Sequence, residues 1–388
     1  MASHMDIDHD VPTILSVLRS EAPADLEGDF YTMEDFWERR LWHQLTDMLV
    51  SFFAKPESAP LRRRLYTQFV CSFEGKINQL KLVALGLAAS ATISDKTEAL
   101  DFMNELAGKV DDPTSKDAYA YALIETARVK LQLGDLEGAR STIDSANGIL
   151  EKFDTIDSVI NAAFYSVSAD YYKVKADFAA YYRSSLRYLA CIKIEDLPIE
   201  AQRERAYDLS IAAFLGDSIY NFGELLLHPI LESLVGTEYG WLRELLFAMN
   251  VGNLTAFDNL RPQLSAIPIL ANQAEFLRDK FCTMALIEAV FQRPVSDRTL
   301  SFQLIAKETK LSHDNVEFLV MRALNLGLIR GSIDQVGERV NITWLQPRVM
   351  TKDQVESMRQ RLIQWDNSVN QLSSWMQTAG REVWAAEA

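Results

Sequence analysis

Between residues 301 and 344 the spacing of apolar side chains changes period. Phe302, Ile305 and Ala306 fall on one helical face behind Ser301, a good N-cap. Val316, Leu319, Val320, Ala323 and Leu324 recur at the i, i+3, i+4, i+7, i+8 spacing of a second helix, started by Ser312 and stopped by Gly327. The stretch Leu328 to Ser332 then predicts a short strand. Val340, Ile342 and Trp344 alternate with Asn341 and Thr343, the period of a half-buried second strand. Asp334 and Gly337 supply the turn between them. Two helices followed by a β-wing make a winged-helix pattern.

After Pro347 the period changes again. Thr351 and Gln354 predict a capping box for a new helix. Along it Val355, Leu362, Val369 and Met376 recur every seven residues, and so do Met358, Trp365, Leu372 and Ala379. A sustained heptad seam is the mark of a helix made to pack on other helices. Burying these eight side chains is worth roughly 10–15 kcal/mol gross. No later segment is expected to cover the seam, so it either folds back on the chain or enters a bundle with other subunits.

Upstream, the pattern is helical from Thr32 to about residue 290, with no convincing strand. Met1-Ala2-Ser3-His4 reads as a vector scar, with Met5 as the natural start. Residues 5–30 are acidic, carry Pro12 and Pro23, and are expected to form an irregular, flexible arm. Thr32 is the expected cap of a first helix carrying Phe36, Trp37 and Leu41 to a core, and a second helix runs up to Pro56. Asn78 and Ser94 read as N-caps ahead of Leu80–Ala89 and Ala99–Val110. A weak internal repeat follows. Leu133-Gly134-Asp135-Leu136 with Ala139, Lys175-Ala176-Asp177-Phe178 with Ala180, and Val251-Gly252-Asn253-Leu254 with Ala256 each read as a tight turn inside a helical hairpin. A small residue just after such a turn permits close helix approach, as in tetratricopeptide-like solenoids. The aromatic cluster Tyr171, Tyr172, Phe178, Tyr181, Tyr182 and Tyr188 reads as packing between repeats, with a ligand pocket as the alternative. A short helix at Asn221 to Leu226 ends at His228-Pro229, and Asn250 to Asn253 turns the chain into a last helix pair. The fold class is therefore mainly α. The expected parts are an arm over 1–30, a helical solenoid over 31–292, a winged helix over 293–350 beginning at Arg293-Pro294, and an amphipathic helix over 351–388.

Composition narrows the chemistry. With 388 residues, 48% of them apolar, the chain can hold two or three structural units with a sizeable core. A net charge of −15 disfavours nucleic-acid and anionic-membrane surfaces. The most apolar stretch, Leu82 to Ile93, is broken by Gly86 and Ser90 and is too short for a membrane span. Cys71, Cys191 and Cys282 are odd in number and far apart, as expected of reduced, buried thiols in an intracellular protein. His4, His9, His43, His228 and His313 form no His-x-His or His-x-x-x-His pair, so a zinc site is unsupported. No phosphate-binding Gly-rich loop, Gly-x-Ser-x-Gly elbow or thiol-protease context occurs. Hence no catalytic, cofactor-binding or metal-binding residue is assigned, and no cofactor is expected.

The winged helix raises a nucleic-acid reading of another class. Its second helix, Asp314 to Leu326, offers Arg322 against Asp314 and Glu317, and adds Phe318 and Met321 to the apolar count. Such a face suits protein better than phosphate. Arg330, Arg339 and Arg348 near the wing leave room for nonspecific contact.

A helical solenoid, a winged helix and a C-terminal helix in that order resemble the PCI-domain proteins. That family scaffolds the proteasome lid, the COP9 signalosome and a translation initiation factor. Five motifs sharpen the resemblance: Trp42-His43-Gln44-Leu45-Thr46, Tyr181-Tyr182-Arg183-Ser184-Ser185-Leu186-Arg187-Tyr188-Leu189, Asn221-Phe222-Gly223-Glu224-Leu225-Leu226-Leu227-His228-Pro229, Gly331-Ser332-Ile333-Asp334, and Thr343-Trp344-Leu345-Gln346-Pro347-Arg348-Val349. They are similar to the branch formed by a non-ATPase lid subunit of the 26S proteasome regulatory particle, the ninth in yeast naming. The likeness runs from about residue 36 to 376.

The resemblance implies a non-catalytic scaffold in ubiquitin-dependent protein degradation, a hetero-oligomer of cytoplasm and nucleus with no nucleic-acid or membrane partner. In that family winged-helix sheets meet edge to edge and C-terminal helices gather into one bundle. The implied partners are other PCI-domain lid subunits, with the lid deubiquitinase pair and a ubiquitin receptor near the solenoid. The implied interface residues are Val355, Met358, Leu362, Trp365, Val369, Leu372 and Met376 on the seam, and Val340, Ile342 and Trp344 on the wing strand. Whether each wing residue points to the core or to a neighbour stays open at this stage, with the core the expected place for Trp344. A PCI subunit of the signalosome or of the initiation factor is the alternative within the class.

Overall fold

The computed structural model describes residues 3–113, 115–293, 298–349 and 352–384. The chain divides into two compact units, Met1–Asp196 and Leu197–Ala388. As the apolar periodicity implies, the protein is mainly α, with one three-stranded sheet among the described residues.

The first unit is built of packed helical hairpins. Its opening differs from the expected irregular arm: Ser3–Glu21 is a helix, with Pro12 inside it. Val11, Leu15 and Leu18 share one face of this helix and are fully buried, so their packing offsets the local cost of the proline. The next helix is Glu27–Glu38, starting before Thr32. The Thr32 hydroxyl donates back to the Asp29 carbonyl at 2.7 Å instead of capping. Trp37 is buried and meets Trp42 edge-on at 5.2 Å and Phe73 at 5.3 Å, whereas Leu41 is exposed. Trp42–Ala54 follows, ending ahead of Pro56 as expected. Asn78 caps Gln79–Ser90 by accepting from the Leu80 N–H. Asp95 rather than its neighbour Ser94 caps Lys96–Val110.

The three repeat turns share one geometry. Gly134, Ala176 and Gly252 all stand in the left-handed region, with φ of 84°, 58° and 70°. Each is followed by an Asx residue whose side chain caps the next helix. Asp135 accepts from Gly138, Asp177 from Ala180, and Asn253 from Thr255 and Ala256. Ending one helix in the left-handed conformation and capping the next at once gives the tightest reversal an α-hairpin allows. At Gly252 there is also no room for a side chain, because a Cβ would lie 2.5 Å from the Ala285 Cα. Tyr171, Tyr181, Tyr182 and Tyr188 are buried among these hairpins, as packing between repeats requires.

The second unit holds the remaining helical pairs, the winged helix and the last helix. Pro294 and the expected boundary there lie outside the described residues. Strand β1 (Thr299–Ser301) leads into helix Phe302–Thr309, capped by Ser301, and then into helix His313–Asn325. Strands β2 (Ile329–Asp334) and β3 (Arg339–Leu345) form the wing. The order β1-β3-β2 is antiparallel throughout, so β3 is central. Leu300, Ile305, Val316, Val320, Val340 and Ile342 make the buried interior of this subdomain.

Candidate protein interface

Helix Lys352–Trp384 is 33 residues long and is the longest element of the protein. Its polar face is held by short-range pairs. Glu356 pairs with Arg359 at 2.6 Å, and this hydrogen bond holds the Glu356 carboxyl below its ordinary range. The hydroxyls of Ser368 and Ser374 donate to carbonyls one turn back. Such contacts are weak on a fully exposed surface, so they cannot account for a helix this long standing alone.

The other face is the heptad seam. Val355, Met358, Leu362, Trp365, Val369, Leu372 and Met376 are all exposed, from 42% at Val369 to 67% at Trp365. The structure therefore brings these seven side chains into one continuous stripe with no cover from the described parts of the chain. Ala379 and the Thr351–Gln354 capping box lie outside what the structure describes. Two exposed apolar residues were absent from the sequence reading: Ile363 and Trp375. Trp375 follows Leu372 by three residues and precedes Met376, so it widens the stripe. Helical spacing from Leu372 is the signal that could have found it. Ile363 falls off the heptad face and has no such signal.

The wing residues behave differently. Val340 and Ile342 are 1% and 2% exposed, so their side chains belong to the interior of the winged helix and leave the candidate interface. The reason is topological. Alternation along β3 puts both residues on one face of the sheet, and that face packs against the helices. Trp344 is half-buried beneath the Arg330 guanidinium, 4.7 Å from its ring. The unpaired edge next to the wing is that of β2, where Arg330, Gly331 and Ser332 are exposed.

Of the basic residues that left room for phosphate contact, Arg330 and Arg348 are engaged within the chain and Arg339 is exposed; Arg322 on the second helix is engaged as well. Arg322 donates to Asp279 at 2.6 Å, Arg330 covers Trp344, and Arg348 forms a buried pair with Glu288. Exposed Phe318 and Met321 dominate what the winged-helix reading face offers instead. This is poor equipment for a nucleic-acid backbone.

The remaining titratable groups are spread through the fold. His43 lies 3.7 Å from Asp47, His228 Nδ1 accepts from the Ile230 N–H, and His313 lies 3.4 Å from Glu338. Of the three cysteines expected to be buried only Cys282 is, while Cys71 and Cys191 are partly exposed; burial pushes the Cys71 and Cys191 thiols up and takes Cys282 to about 11, so all three stay protonated at neutral pH. Among the described residues there is no group of three metal-ligating side chains, and no helix is long and apolar enough to cross a membrane.

A family model for PSD13 N-terminal repeats matches residues 29–246. The chain belongs to the PSD13/Rpn9 family. A PCI-domain model matches residues 254–344, and a model of the Rpn9 C-terminal helix matches 348–380, the segment that carries the exposed stripe. Full-length likeness agrees. The chain is 47% identical to a probable 26S proteasome regulatory subunit rpn9 of Schizosaccharomyces pombe, over 94% of this chain and 95% of the relative. It is 44% identical to the 26S proteasome regulatory subunit RPN9 of Saccharomyces cerevisiae, over 97% and 99%. It is 36% identical to the 26S proteasome non-ATPase regulatory subunit 13 homolog A of Arabidopsis thaliana, over 88% and 92%. Membership in the PSD13/Rpn9 family bears out the resemblance drawn from the motifs. It also accounts for the element order of repeats, PCI domain and terminal helix.

Proposed function

We propose that this chain is a non-catalytic structural subunit of the proteasome regulatory-particle lid, which helps to assemble the lid by giving its C-terminal helix to a bundle of partner helices. One observation carries the reading: seven apolar side chains form an unbroken exposed stripe on a helix that no described part of the chain covers. An apolar patch of this extent calls for a protein partner. The partners are other PCI-domain lid subunits, met by the helix and by the free edge of β2. The first unit reaches the lid deubiquitinase pair and a ubiquitin receptor. The chain works in the cytoplasm and nucleus, and its part in ubiquitin-dependent degradation is to hold shape, not to perform chemistry.

Affinity purification of the tagged chain followed by mass spectrometry tests this assignment. Proteasome ATPases and the lid deubiquitinase are the expected companions. Recovery of cullin-related or ribosomal proteins in their place would assign the chain to the signalosome or to the initiation factor.

A further inference from the structure

Four residues, Gln346-Pro347-Arg348-Val349, follow β3 and precede the C-terminal helix. They have no regular secondary structure, yet they are tied down at several points. The Gln346 N–H donates to the Leu328 carbonyl at 2.8 Å. The Arg348 side chain is only 8% exposed. Its guanidinium pairs with Glu288, donates to the Asn250 carbonyl at 3.4 Å and lies 4.8 Å from the centre of the Phe291 ring. The Val349 N–H donates to Asn221 Oδ1 at 3.4 Å, and the same oxygen accepts from the Gly223 N–H at 3.3 Å. The Val349 side chain rests against Gly223 so closely that a Cβ there would lie 2.3 Å from the Val349 Cβ.

These anchors come from four places in the second unit: Leu328 ahead of β2, the Asn221–Gly223 corner, the end of helix Gly240–Val251, and helix Ala274–Phe291. An irregular segment of four residues has no intrinsic reason to be held this firmly. A pair buried as deeply as Arg348–Glu288 also carries a desolvation cost that a surface strap would avoid. What the segment holds is the root of the next element. Lys352 begins the long helix three residues after Val349, and none of that helix's described side chains is buried. Among the described residues, its hold on the second unit therefore lies at its root alone.

We infer that the 346–349 strap is a positioning device. Arg348 and Val349, seated on Glu288, Asn221 and Gly223, fix the point from which the helix leaves the PCI domain and so pre-organise the stripe for its partners. The inference rests on the bundle role proposed above. It adds residues that never touch the partner but govern how readily the partner is met. A helix on a loose root must lose orientational freedom on docking, whereas a helix on a fixed root has already lost it.

The test uses the full chain, reconstituted into the lid at limiting concentration. Gly223→Ala pushes on Val349, and Arg348→Ala removes the pair with Glu288, so the two variants loosen the strap at separate points. Each is expected to raise amide hydrogen exchange at Arg348 and Val349 by about tenfold or more, with helix Ala274–Phe291 unchanged in Gly223→Ala and, in Arg348→Ala, unchanged away from Glu288. Each is also expected to cut incorporation about fivefold or more, recoverable at higher concentration of the variant. Arg348→Lys keeps the charge beside Glu288 and gives up the contact with Asn250, and so carries the test should Gly223→Ala loosen the whole unit. A loosened strap with unchanged incorporation would overturn the inference. Deletion of residues 352–388 is the control. If that deletion leaves incorporation intact, the bundle role fails, which is a different result from failure of the strap.

Discussion

Leu362→Asp combined with Leu372→Asp is expected to remove the chain from the assembled lid and to leave the isolated chain folded. In the isolated chain both leucines are exposed, at 63% and 57%, so the substitutions bury nothing. Their cost there is limited to helix propensity, about 0.5 kcal/mol each. In the proposed bundle the same positions would lie against partner helices. Each aspartate then places a charge in an apolar seam without a partner, at about 3–5 kcal/mol by analogy with broken buried pairs. The two together amount to at least about four orders of magnitude in affinity. Reconstitution followed by size exclusion reads the loss, and circular dichroism of the free variant should match the parent. Full incorporation of the double variant would show that the stripe does not lie against partner helices.

Lys280→Met is expected to destabilise the second unit strongly, by about 3–4 kcal/mol. Lys280 lies on helix Ala274–Phe291 and is fully buried. Its Nζ donates to the carbonyls of Ala213 at 2.8 Å, Phe214 at 3.1 Å and Gly216 at 2.6 Å. These carbonyls close the C-terminal end of helix Ile199–Leu215, where intrahelical donors run out. Below about pH 7 the amino group is an ammonium whose three N–H groups meet three acceptors, and the negative end of the helix opposes the cost of burying its charge. Methionine fills the space but takes this donor from the Ala213 and Phe214 carbonyls and leaves Gly216 only the Ile219 N–H, at 3.3 Å. Chemical denaturation reads the difference, and retention of parental stability would show that water replaces the ammonium without loss.

The pH dependence of the same residue has a definite sign. Burial pushes Lys280 down to about 7, against 10.5 for an unperturbed lysine. Between those values the unfolded chain keeps a proton that the folded chain has released. Stability of the parent should therefore rise with pH across that window, by at most about 1.4 kcal/mol per unit, and Lys280→Met should lack this contribution.

Much of this fold could be read from one sequence because periodicity and caps speak locally. Ser301 and Asn78 cap the helices they were expected to cap, and the Gly134, Ala176 and Gly252 turns reverse the chain where the repeat placed them. The opening helix was hidden by Pro12 and by acidic composition, although Val11, Leu15 and Leu18 already held its apolar face. Alternation along β3 identified a strand but not which of its faces met the core. That depended on which face the helices cover, with helix Ala274–Phe291 packed against β3, a long-range fact that no local pattern reports. The seat of Lys280 on carbonyls some 64 residues away and the meeting of Val349 with Gly223 are likewise long-range facts. In the candidate interface the stripe was legible, because a heptad is local. Its freedom from intramolecular cover was not, because that depends on everything else in the fold.

Hydrogen exchange along residues 355–376, compared between the isolated chain and the assembled lid, tests the central claim most directly. The account predicts fast exchange in the isolated chain, where the helix has only its own hydrogen bonds, and slowing by about a thousandfold or more after assembly. Equal protection in the two states would contradict it, because the stripe would then find its cover within this chain, or find none at all.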